Sequence, residues 1–190
     1  MRKIPQALLD KYRDVHVAGI EWWYHIWYQE QTELEEMGLT GHDFRFSGFG
    51  SQGDGASYTV FVFDYDRFWK AFDPKENYMM LRKAPFVGIA MTRHQSMHCH
   101  EFTVYADVQA NGWWLDYREC DPFKEALYDA WNKKLDQEVI EFENEFTCYM
   151  RDRMRALYKK LEEEYEHLTS DEVVAEWIIE NAPDELEEVA

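Results

Sequence analysis

Between Phe123 and Ala182 the chain contains neither glycine nor proline. Apolar residues return there every three to five positions, at Phe123, Leu127, Trp131, Leu135, Val139, Phe142, Phe146, Tyr149, Met154, Leu157, Leu161, Tyr165 and Leu168. That is the period of a helix with one buried stripe. A continuous helix over 123–168 is roughly 70 Å long at 1.5 Å per residue, longer than a small domain is wide. Such a rod bends, breaks near its middle or projects toward a partner, and it offers a surface for a homo-oligomer. Thr169-Ser170-Asp171-Glu172 then reads as a capping box, with Thr169 as N-cap and Glu172 at the third helical position. It opens a last helix, EVVAEWIIEN, which Pro183 ends, and the acidic tail DELEEVA is expected to fray.

Upstream the period changes. Residues 5–14 suit a short amphipathic helix with Pro5 in its first turn. Trp22, Trp23, Ile26, Trp27, Glu30 and Leu34 mark a second helix, with Gly38 at its stop. The runs HDFRFSGF, SYTVFVFDY, PFVGIAMTR and HCHEFTVYADV are rich in β-branched and aromatic residues and read as strands. Asp73-Pro74 breaks the intervening DRFWKAFDPKENYMMLRK into turn and short helix or loop. Asn111-Gly112 suggests a tight turn leading into WWLDYREC. The expected class is α+β: an antiparallel sheet of about four strands, with N-terminal helices and long C-terminal helices packed over it. By composition, residues 1–120 form an aromatic-rich body and 121–190 an acidic helical region packed on it as one domain.

Charge separates these regions. The chain has 38 acids against 20 bases, a formal charge of −18. Residues 121–190 hold 21 acids and 8 bases, so −13 of that total lies there. A field of this sign repels phosphate backbones and disfavours direct nucleic-acid binding, while attracting a basic protein surface. No apolar run reaches the ~18 residues a spanning helix needs, and the N-terminus does not read as a signal peptide. Cys99, Cys120 and Cys148 lack C-x-x-C spacing and suit reduced thiols. Those features fit a cytoplasmic protein with no membrane partner.

Two places carry groups that chemistry uses. The first is the polar island SQGDGAS, residues 51–57. Gly48-Phe49-Gly50-Ser51-Gln52-Gly53 matches G-x-G-x-x-G in form, but a strand follows it where a dinucleotide loop needs a helix. The island also lacks the Lys-Ser/Thr ending of a P-loop and the glycine framing of a nucleophile elbow. Ser51, Gln52, Asp54 and Ser57 therefore serve either a hairpin turn or a contact to a ligand or partner; no catalytic residue and no cofactor is assigned. His98 and His100 form H-x-H on an expected strand, two residues apart on one face, where both imidazoles could reach one metal, although no metal is assigned. His94, His42 or Asp54 would have to complete such a set. The second place is the long helix, where Glu138, Glu141 and Glu145 share one side and Glu162, Glu163 and Glu164 form another cluster. Carboxylates repeated on a rod imitate a phosphate backbone, though solvated helix charges have the same pattern.

FSGFGSQGDGASYT and LEEEYEHLTSDEVVAEWIIEN resemble a group of small phage-encoded proteins, sometimes labelled antitoxin-like. In that group F-S-G-F-x-S-Q-G-D-G-A-S-F and E-Y-x-x-L-T-S-D-E-x-x-x-E-x-I-x-x-N recur. The resemblance spans roughly residues 20–182, with Gly50 where an aromatic is common and Tyr58 where Phe is common. It implies an accessory role directed at a host cell, in the host cytoplasm, and carries over no reaction and no catalytic residue. Together with the charge, the expectation is a non-enzymatic inhibitor that binds a basic host protein, as an anti-defence protein or DNA mimic does. The alternatives are a ligand-binding protein or small enzyme with its site at Ser51–Ser57, and an antitoxin-like partner of one toxin.

Overall fold

A computed structural model describes residues 4–19, 21–111 and 122–188. The turn expected at Asn111-Gly112, the segment WWLDYREC and Cys120 lie outside the described residues. The fold is α+β, with one four-stranded antiparallel sheet in the order β1-β2-β3-β4. Chain order is α1 (Gln6–Lys11), α2 (Tyr24–Glu36), β1 (Leu39–Ser47), β2 (Gly55–Val62), α3 (Tyr65–Phe72) and α4 (Met79–Arg82). Then follow β3 (Phe86–Arg93), a 3-10 turn (Glu101–Thr103), β4 (Val104–Asn111), α5 (Pro122–Leu168), α6 (Asp171–Asn181) and α7 (Pro183–Glu188). Helix α5 runs unbroken for 47 residues. Among the described residues no helix is long and apolar enough to cross a membrane.

The chain forms two compact units, one of residues 29–156 and one of 1–28 with 157–190. This division runs elsewhere than the compositional step at residue 120, because α2 and α5 each contribute residues to both. In the first unit Tyr58, Val60, Ile89, Met91, Val104 and Ala106 point from the sheet into the core, with Phe142, Phe146, Met150 and Met154 of α5. Phe68, Trp69, Phe72, Tyr78, Phe142 and Phe146 pack mostly edge to face, with centroids 5.1–6.1 Å apart, an arrangement their quadrupoles favour.

Helix α5 also closes the open edge of β4. Val108 N donates to Glu143 Oε1 (3.0 Å) and Ala106 N to Thr147 Oγ1 (2.9 Å), while Arg151 Nη2 donates to Val104 O (2.9 Å). Steps of four helical residues rise about 6 Å and steps of two strand residues about 6.6 Å, so the two rows stay in register over three contacts. An otherwise unpaired strand edge is thereby satisfied by side chains.

The second unit is built on Leu8, Leu9, Val174 and Ile178, with Tyr12 and Trp177 against them. Arg13 ties α1 to the α5–α6 corner through Thr169 O (2.8 Å) and Asp171 Oδ1 (2.5 Å). Three expectations are corrected here. Helix α1 is six residues long and stops at Lys11 instead of continuing to residue 14. The N-cap of α6 is Ser170, whose Oγ accepts from Val173 N; Thr169 is instead spent on α5, its hydroxyl donating to Tyr165 O at 2.8 Å. Residues after Pro183 form α7, since proline suits a first helical turn.

Candidate functional site

The β1–β2 connection is first of all a turn that holds itself. Ser51 N and Ser51 Oγ both donate to Asp54 Oδ2 at 2.6 Å, and Asp54 N donates back to Ser51 O at 3.1 Å. Those hydrogen bonds, the Ser51 hydroxyl first, hold the Asp54 carboxyl below its ordinary value. Gln52 is exposed at the tip. The glycines do more than turn the chain. A side chain at Gly53, where φ is +100°, would start 2.3 Å from His98 Nδ1, and one at Gly55 would start 2.5 Å from the Cα of His100. The loop is therefore the seat on which His98 and His100 lie.

That segment corrects the strand expected at 98–108. The ladder to β3 begins at Val104, and His98 and His100 lie in the preceding loop. Their rings still stack, with centroids 5.6 Å apart. His42 stacks on Phe61 (5.0 Å) and His94 on Tyr105 (4.1 Å), so neither joins them. Among the described residues no group of three or more His, Cys, Asp or Glu side chains is placed to hold a metal ion.

Ser57 leads to the organising residue, Arg93. Ser57 is fully buried, and its hydroxyl lies 2.6 Å from Arg93 Nη1 and 3.2 Å from Thr103 Oγ1. The Arg93 side chain is 8% exposed. It donates from Nε to Asp43 Oδ2 (3.0 Å), from Nη1 also to Thr103 Oγ1 (3.1 Å), and from Nη2 to Asp43 O (2.8 Å) and Ser57 O (3.3 Å). Only Val60↔Met91 and Phe61↔Ala90 pair between β2 and β3, and the guanidinium satisfies carbonyls beyond that short ladder. Asp43 has φ +46° at a register break in β1, a conformation non-glycine residues seldom take. Its other carboxylate oxygen accepts from Arg45 Nε at 2.9 Å. Burial opposes ionisation of Asp43, but the bonds from Arg45 and Arg93 outweigh it and keep its carboxyl below the ordinary value. Asp43, Arg45, Arg93 and residues 94–97 enclose an open cavity of about 620 Å³.

The carboxylates of α5 divide into two kinds. Glu138 Oε2 accepts from Met80 N (2.8 Å) and Leu81 N (3.0 Å), filling the role of an N-cap for α4. Glu145 accepts from the Tyr78 hydroxyl. Burial, then that carboxylate, pushes the Tyr78 phenol far above its ordinary value. Glu141 is exposed and accepts from Gln137 (2.9 Å). Further along, Glu163 meets Lys159 (3.7 Å) and Glu164 lies 3.9 Å from His25. Glu162, Glu166, Glu172, Glu176 and Glu180 have no hydrogen bond or ion pair among the described residues.

Sequence reasoning missed one further polar site. Glu30 is 4% exposed and pairs with Arg153 Nε (2.9 Å) while accepting from the Tyr58 hydroxyl (2.5 Å); Arg153 Nη2 also reaches Glu33 (2.8 Å). Burial, reinforced by Glu30, drives the Tyr58 phenol well above its ordinary range, so it stays a donor. The only sequence signal was Glu30 itself, an acid in the apolar stripe of α2.

Fold and sites together define an α+β protein whose meander sheet carries a cavity lined by two arginines and whose last helices carry acids with no partner among the described residues. The chain belongs to the DUF8835 family, a domain of unknown function, which matches residues 22–171. No curated protein and no known structure matches it.

Proposed function

We propose that the protein is an acidic accessory protein, of the phage-encoded kind its motifs resemble, that acts by binding a basic surface on a host protein. The observation that carries this reading is the row Glu172, Glu176 and Glu180 on α6. These residues are exposed, four apart, and opposite the buried Val174 and Ile178. Like charges at that spacing each cost a helix about 0.2–0.5 kcal/mol. Glu162, half-buried, and Glu166, exposed, repeat the four-residue spacing on α5. The unit that holds both rows has 15 acids and 6 bases, so the repulsion is not locally offset. A row of carboxylates fixed on a helix presents repeated negative charge to lysine- and arginine-rich surfaces, such as the groove of a nucleic-acid-handling or defence complex. Neutralising a cognate toxin would use the same contact with a different partner.

The test is parallel capture from host lysate with the wild type and the variant E172Q/E176Q/E180Q, followed by reconstitution with the purified captured protein. The reading expects a basic protein that binds at low salt, is released at high salt and is lost with the variant. Equal capture by both forms, or no salt-sensitive protein, would contradict it.

A further inference from the structure

We propose that the cavity between the β1 register break and residues 93–97 is a binding site for a small oxyanion, a phosphate- or carboxylate-bearing ligand, anchored by Arg45. The inference is independent of the acidic-face reading, because it concerns different residues in the other unit.

Three observations converge on it. First, the local charge is reversed: two guanidinium groups, Arg45 and Arg93, face one carboxylate, Asp43, in a chain of net charge −18. Second, the two arginines have different tasks. Arg93 is buried and its Nε, Nη1 and Nη2 are all engaged in fixing Asp43, Ser57 and Thr103. Arg45 uses Nε on Asp43, is 49% exposed and lines the cavity, while its Nη atoms have no partner among the described residues. A guanidinium oriented through Nε with both terminal amines open is arranged to grip two oxygens of an anion at once. Third, the surroundings are built rather than accidental. Asp43 is held in a left-handed conformation, of the strained kind that collects at ligand clamps. The opposite wall, residues 94–97, continues into His98 and His100, which rest on Gly53 and Gly55 where no side chain fits. The wall adds the polar side chains of Gln95 and Ser96 and the exposed Met97. A volume of about 620 Å³ falls in the range of small-ligand pockets, ~300–1,000 Å³.

The experiment is a backbone-amide NMR titration of the full chain with inorganic phosphate and, separately, with citrate, at constant ionic strength set by chloride. The inference expects saturable shifts confined to residues 43–45 and 93–97. R45A should weaken binding about tenfold or more, the loss of a charge-assisted pair, and R45K should fall between. Tighter phosphate binding assigns a phosphate-bearing ligand and tighter citrate binding a carboxylate; either supports the site. Q95A, which leaves the arginine–Asp43 pairs intact, is the second variant should R45A unfold, and it should weaken binding several-fold. Shifts that do not saturate, or equal affinity in wild type and both alanine variants, would overturn the proposal.

Discussion

Glu138 and Glu176 are both acids on a helix, the first with Lys134 four residues before it and the second between Glu172 and Glu180. In the structure they differ completely. Glu138 sits where α4 leaves backbone N–H groups unsatisfied and takes two of them. Glu176 stands in a row of like charges with no partner among the described residues. Glu143 and Glu30 belong with the first, one capping the β4 edge and the other closing a buried network. The lesson is that a carboxylate's role is set by the donors the fold brings within reach, and only the unserved ones are available to a partner.

The contrast breaks most visibly in the buried network. Arg153→Met would leave the Glu30 charge with only a phenol as donor, and uncompensated buried charges cost about 3–5 kcal/mol; urea denaturation reads the loss. The same network sets an alkaline limit. Because the Tyr58 pKa is raised in the folded state, its contribution is fully present below the ordinary tyrosine value, about pH 10. It is lost as the pH rises through the raised folded value. Stability should fall from about pH 10 upward, between the ordinary and the raised value, and Tyr58→Phe should flatten the fall. Gly55→Ala, which drives a methyl into the His100 backbone, should destabilise by about 1–3 kcal/mol, as overpacked sites do, and shift the amide resonances of 94–100. Glu138→Ala should cost about 1 kcal/mol, the usual worth of a helix cap. The smallest effect belongs to the outward acids: E172Q/E176Q/E180Q should leave stability unchanged or raise it by less than about 1 kcal/mol, since it relieves two like-charge pairs.

Much of the fold was legible because its signals are local. The absence of glycine and proline from 123 to 182, with a helical apolar period, specified α5, and β-branched runs located the four strands. Errors arose where two residues offered the same chemistry or the same alternation. Thr169 and Ser170 can both cap, and the choice turned on which hydroxyl the end of α5 consumed. HCHEFTVYADV alternates as a strand throughout, yet its first half is held as a loop against Gly53 and Gly55, a contact between residues about 45 positions apart. The Arg93 site was illegible for the same reason. Asp43, Ser57, Arg93 and Thr103 meet only through the strand registers, and none stands out alone. SQGDGAS itself is now a turn with a purpose: Asp54 serves the turn, Ser57 the buried arginine, and two glycines seat His98 and His100, which follow the wall of the cavity.

The account rests on the claim that the α6 carboxylates are kept for contact and not for folding. Its most direct test measures two properties of E172Q/E176Q/E180Q together: urea midpoint, and affinity for the purified captured protein at low and high salt. The account predicts an unchanged or raised midpoint with affinity reduced toward its high-salt value. A lowered midpoint with affinity intact would contradict it.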